Sequence, residues 1–271
     1  MSDTIAVFDS GLGGLTVVYN LQKKFPGKKI VYFGDTARLP YGNKSPETIR
    51  LFARQNTRFL LKFRPQAVVV ACHTASALAL KTLQREFALP IVGVQAPGVK
   101  AALRTTRNNR IGVIGTIATV RSRSYPDLIR KLRPDAEVFS AACPLFVPLV
   151  EEGLLSGPIV SRVVSHYLSD LKGKNIDTLV LACTHYPMLK KALADFMGRR
   201  VELVDPSEEV VREIEPLLAR TEKKGGPKSN GLQIYLSDVT DNFRRVAADF
   251  LGKPLPKIQK EDTACKPSAK T

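Results

Sequence analysis

No apolar run in the 271 residues is long enough to cross a bilayer. The longest, such as 67–71 and 178–182, break off after about five residues, whereas a spanning helix needs about 20. The start of the chain also lacks the basic and then apolar segment that directs secretion, because Asp3 leads straight into a strand-like run over 4–8. A cytoplasmic location without a membrane partner is therefore expected. Cysteine is scarce: four residues with no dense or regular spacing exclude a disulfide scaffold and leave thiol chemistry as their use. A closely spaced Cys pair is missing too. Cys72, His73, Cys183 and His185 could be offered as zinc ligands, but adjacent Cys and His side chains project divergently and serve a tetrahedral ion poorly, so no metal is expected. Acidic residues are also in short supply, 25 against 41 Lys and Arg, giving a formal charge of +16. The basic residues are scattered, with short clusters only at 121–133 and in the tail, and read first as a solvated surface that draws in small anions.

Hydrophobic residues make up 44% of the chain, enough for a substantial core and for two compact lobes. Strand-like runs at 5–8, 30–33, 67–71, 91–94, 111–114, 137–140, 178–182, 201–204 and 232–236 alternate with segments of helical period. This is the signature of an α/β protein with mainly parallel sheets. The clearest helix starts with Ser45 as N-cap and Pro46 in its first turn, repeats Ile49, Phe52, Ala53, Phe59 and Leu60 on one face, and is stopped by Pro65. Pro after a strand near Gln95 and again near Asp205 marks crossings between lobes. One α/β lobe is thus expected over 1–97 together with 208–251, a second over 98–207, a surface loop over 220–231, and a flexible basic tail over 252–271. A weak internal echo supports pseudosymmetry: Val68-Val-Val-Ala-Cys72 and Leu179-Val-Leu-Ala-Cys183 each set a Cys just past a buried strand.

Ligands of such sheets bind beyond the carboxyl ends of the strands. The residues found there are Asp9-Ser-Gly-Leu-Gly-Gly14, Gly34-Asp35 with Pro40-Tyr41-Gly42, Cys72-His-Thr74, Gly115-Thr116 with Thr119, and Cys183-Thr-His185. Small hydroxyls, helix N-termini and two thiols suit a small anionic ligand carrying carboxylates. Gly11, Gly13 and Gly14 fall short of a dinucleotide fingerprint, because Thr16 stands where its third glycine belongs. They fit better as a tight turn that brings a helix N-terminus to an anion. A lone Cys at a strand end is usually a small buried hydrophobe. Two in matching contexts, each beside Thr and His, point to a reactive pair. Cys143 and His166 read as structural or surface residues and Cys265 as incidental, while the pair Glu151 and Glu152 stays undecided from the residues alone.

Together with Pro148-Leu-Val-Glu-Glu-Gly153, these motifs occur in the order found in bacterial glutamate racemases, which the chain resembles from about residue 5 to residue 185, with compatible sequence to about 251. The resemblance implies two pseudosymmetric α/β lobes with the active site in the cleft between them. It further implies cofactor-independent interconversion of L- and D-glutamate for peptidoglycan synthesis, and a homodimer. By it, Cys72 and Cys183 are the two opposed bases, Cys72 acting on D-glutamate and Cys183 on L-glutamate. Asp9 is the acidic helper of the first thiol, and Glu152 and His185 those of the second. Ser10, Pro40, Tyr41 and Gly42 hold the distal carboxylate; Thr74, Thr116, Thr119 and Thr184 orient the α-carboxylate and amino group. The family commonly has Asn after its first catalytic Cys, where this chain has His73, so aspartate or broadened specificity is one alternative. A DNA-associated or gyrase-binding role, permitted by the charge and by some family members, is another; salt-sensitive affinity for duplex DNA would test it.

Overall fold

The computed structural model describes residues 3–219, 231–252 and 254–263. Among the described residues, ten strands form two wholly parallel sheets. The strands are β1 (Thr4–Asp9), β2 (Lys29–Gly34), β3 (Ala67–Val70), β4 (Ile91–Gly93), β5 (Arg110–Gly115), β6 (Glu137–Ala142), β7 (Thr178–Ala182), β8 (Glu202–Val204), β9 (Gly231–Leu236) and β10 (Ile258–Lys260). The first sheet has the order β10-β9-β2-β1-β3-β4 and the second β6-β5-β7-β8. Helices connect them: α1 (Leu15–Lys24), α2 (Pro46–Leu61), α3 (His73–Glu86), α4 (Gln95–Thr105), α5 (Ile117–Arg121), α6 (Ser124–Leu132), α7 (Phe146–Glu151), α8 (Pro158–Lys172), α9 (Lys190–Met197), α10 (Pro206–Ala219) and α11 (Asp241–Leu251). None of these helices is long and apolar enough to cross a membrane.

Continuous apolar runs become strands here because both faces of a parallel sheet are covered. In β1, Ile5 and Val7 pack on the side of α1 with Ile30 and Tyr32, while Ala6 and Phe8 pack on the opposite side with Phe33, Val68 and residues of α2 and α3. Helix α2 starts as its sequence requires, the Ser45 hydroxyl accepting the Thr48 N–H at 3.2 Å, and ends at Leu61, before Pro65. The chain passes from the first sheet to the second through α4 and returns through α10, which packs on both α4 and α1. One apolar cluster runs from Val7 and Leu12 through Phe146 to Leu181 and Tyr186, joining the two sheets.

The expected tail needs correction. Ile258 aligns with Ile234 and is buried, so residues 258–260 add a sixth strand to the first sheet instead of trailing free. Three residues are too few to show a period, and only the open edge of β9 makes a strand of them. Residues 220–230 of the expected loop, and 264–271 with Cys265, lie outside the described residues.

Candidate active site

The two sheets point the carboxyl ends of their strands at each other, and one cavity lies between them. From the first lobe it is lined by Ser10, Pro40, Tyr41, Gly42, Cys72, His73 and Thr74, and from the second by Thr116, Cys183, Thr184 and His185, with Leu39 and Val147. Both thiols, 4% and 5% exposed, thus face one space from different sheets. The cavity measures about 20 Å³, room for about one water.

Asp9 stands behind this wall, fully buried. Its Oδ2 accepts the N–H groups of Gly11 (3.1 Å) and Gly14 (2.9 Å), and Thr184 Oγ1 of the other lobe donates to Oδ1 at 3.2 Å. The glycine loop therefore serves the carboxylate of the chain's own Asp9. Burial pushes the Asp9 carboxyl up, against the lowering influence of His185 and of these hydrogen bonds. Cys72 directly precedes α3, 3.8 Å from the Ser10 hydroxyl. Burial, reinforced by the negative charge of Asp9, pushes its thiol up to about 12, so in this form it carries its proton.

Across the cavity Cys183 Sγ lies 3.9 Å from His185 Nδ1, and His185 Nε2 meets Glu151 Oε1 at 2.6 Å. Burial alone would lower the His185 pKa, yet hydrogen bonds to Cys183 and Glu151 together with their charges raise it well above the ordinary imidazole value. Glu151 would in turn be raised by burial, but His185 and the Leu12 amide bring it below the usual carboxylate range. Glu152, assigned this place by resemblance, is exposed, and its backbone carbonyl accepts from Arg245. The correction has a helical cause: Val147 and Glu151 are four apart on α7 and share its cavity face, from which the next residue turns away.

Thr74, Thr116 and Thr119 form a triangle of hydroxyls, 2.9, 3.0 and 3.3 Å on its sides, joining the lobes. The Thr116 hydroxyl also accepts the Thr119 N–H, capping α5. Tyr41 donates to Asp35, itself held by Arg38, and accepts from Asn56 at 3.1 Å. His73 Nδ1 lies 2.7 Å from the hydroxyl of Tyr125 on α6, and burial lowers the imidazole to about 3, so it is neutral. Every predicted site residue except Glu152 is thus in the cavity wall or directly behind it. Sequence reasoning left Glu151 undecided beside Glu152 and missed Leu39, Val147 and Tyr125. A helical reading of 146–151 would have found Glu151; Tyr125 is one more apolar-face aromatic until α6 is docked on α4.

Comparison with known proteins gives a consistent result. The sequence profile of the Asp/Glu/Hydantoin racemases matches residues 16–214. A glutamate racemase of Chlorobaculum tepidum is 44% identical over 94% of this chain and 94% of its own length. One from Aquifex aeolicus is 46% identical over 95% of this chain and 98% of its own. The crystal structure of the Francisella tularensis glutamate racemase in complex with D-glutamate superposes with a TM-score of 0.88 at 39% identity, over 96% of this chain and 98% of that one.

Proposed function

Since the chain belongs to the Asp/Glu/hydantoin racemase family, and within it to the glutamate racemases, we propose that it inverts glutamate by two-base chemistry between Cys72 and Cys183, without a cofactor. Inversion at the α-carbon requires a proton to leave one face and another to arrive on the opposite face. The observation that carries this reading is the placement of two thiols, one from each sheet, on a single cavity. Cys72 is held as the thiol by burial and Asp9, which suits it to deliver a proton in the L-to-D direction. A Cys183 thiolate takes the α-proton of L-glutamate, Cys72 delivers its S–H proton to the other face, and release of D-glutamate leaves the two protonation states exchanged. The reverse turnover restores them. The His185–Glu151 pair keeps a compact, reversible proton store beside Cys183, whereas Asp9 acts on Cys72 by charge, favouring its thiol.

Ser10 and the Tyr41–Gly42 segment are assigned to the distal carboxylate, and the threonine triangle with Thr184 to the α-carboxylate and amino group. Closing the lobes excludes water and strengthens these contacts as charge develops at the α-carbon. The D-glutamate formed would serve peptidoglycan synthesis. The expected homodimer is supported by Leu145, Leu154, Leu155 and Ile159, which stay exposed around α7 and the start of α8; light scattering tests it. Solvent deuterium exchange at the α-carbon, begun from each enantiomer of glutamate and of aspartate, tests the reaction. Cys72→Ala and Cys183→Ala are each expected to abolish racemisation of glutamate. Near-normal turnover by either variant would remove the two-thiol mechanism, and turnover of aspartate alone would move the substrate assignment.

A further inference from the structure

His73 and Tyr125 are brought together from different lobes, α3 and α6, and neither belongs to the proton path described above. Their rings stack at 6.0 Å with 25° between planes, and Tyr125 is 1% exposed. Its hydroxyl has one hydrogen-bonding partner among the described residues, His73 Nδ1. A buried hydroxyl proton left without an acceptor pays the full desolvation penalty of the group. Were Nδ1 to carry the imidazole proton, the Tyr125 proton would have nowhere to go; Tyr125 must therefore donate and Nδ1 accept. The ring is neutral, so its single proton sits on Nε2. Among the described residues that nitrogen has no protein partner, yet it is not sealed off as an unpaired buried atom, and the open space its ring lines is the cavity.

We propose that Tyr125 is a positioning residue that fixes His73 as the Nε2–H tautomer, so that a neutral imidazole presents an N–H donor to a carboxylate of the bound amino acid. Because the donor reaches across the cleft, the tautomer is set only when the lobes are closed, which couples substrate recognition to closure. The proposal rests on the racemase reading for its substrate, but its structural part stands independently of that reading. Nitrogen-15 NMR of His73 in the full-length ligand-free protein should show Nε2–H, and Tyr125→Phe should give a mixture of tautomers. In that variant KM for both glutamate enantiomers should rise as the reciprocal of the remaining Nε2–H fraction, roughly two- to fivefold for a fraction between about one half and one fifth, with kcat within about threefold. His73→Asn supplies an amide N–H that needs no tautomer, so adding Tyr125→Phe to it should change KM less than twofold. An Nδ1–H tautomer in the parent protein, an unaltered KM in Tyr125→Phe, or an equal KM rise on the His73→Asn background would overturn the proposal. Absence of glutamate turnover in the parent would instead refute the racemase reading and leave the tautomer result intact.

Discussion

A buried thiol beside a carboxylate keeps its proton, and Cys72 is such a thiol. With its pKa pushed to about 12, its thiolate fraction at pH 8 is on the order of a thousandfold below that of an ordinary thiol near 8.5. Alkylation of the ligand-free protein by iodoacetamide, mapped by mass spectrometry, should therefore label Cys72 slowly, at a rate still climbing above pH 10. A plateau near pH 8 to 9 would show that burial and Asp9 do not hold the proton on this sulfur. Much at this scale was legible in the sequence. Asp9, Cys72, Thr74, Cys183 and His185 were visible as polar residues just past apolar runs, because the side chains beyond the carboxyl end of a parallel strand leave the packed layers and face the cleft. The state of each group was not legible: the neutrality of His73 and the charge on His185 come from burial and from partners distant in sequence.

At the scale of elements, the short helix α7 decides which of two adjacent glutamates serves His185. Removing the carboxylate of Glu151 takes away a charge-assisted hydrogen bond, about 1.5–3 kcal/mol, so Glu151→Gln should lower kcat roughly ten- to hundredfold, whereas Glu152→Gln should change it less than about twofold. The reverse ranking in steady-state assays would restore the assignment made by resemblance. The same pair bears on stability. His185 is raised in the folded state, so its contribution is full below its unfolded value of 6.5 and fades as pH rises through the folded value. Glu151 is lowered, so its contribution is full above 4.5 and fades as pH falls. The Tm difference between the parent protein and Glu151→Gln should therefore be greatest between roughly pH 4.5 and 6.5 and shrink on the alkaline side. Strand β10 teaches a related lesson: three residues carry no period, and an edge of the first sheet determines their conformation.

For the molecule as a whole, the closed cleft depends on residues small enough to let the lobes meet. A Cβ at Gly13 would lie 2.4 Å from Thr184 Oγ1 and 2.6 Å from the Thr184 carbonyl carbon, which is backbone and cannot swing aside. Gly42 meets Thr116 in the same way, at 2.6 Å from its Cβ. Gly13→Ala should hold the lobes apart while each sheet keeps its own core. An overpacking cost of about 1–3 kcal/mol predicts a roughly five- to hundredfold fall in kcat/KM, with circular dichroism unchanged. Undiminished kcat/KM would mean that the closed arrangement is not the productive one.

The sequence by itself determined the α/β class, the parallel strands, the capped start of α2 and the series of polar strand ends, since each follows from local chemistry: apolar period, cap and turn residues, and the position of a polar group after a buried run. The packing of α7 within the second lobe chose Glu151 over its neighbour for His185. Tertiary structure alone also decided that the two thiols share one cavity, that Thr184 reaches Asp9 from the other lobe, and that Tyr125 meets His73. Those pairings join residues up to 175 positions apart, as Asp9 and Thr184 are, and they depend on how two separately formed sheets dock. No local pattern encodes that distance; the burial of the apolar surface between the lobes sets it.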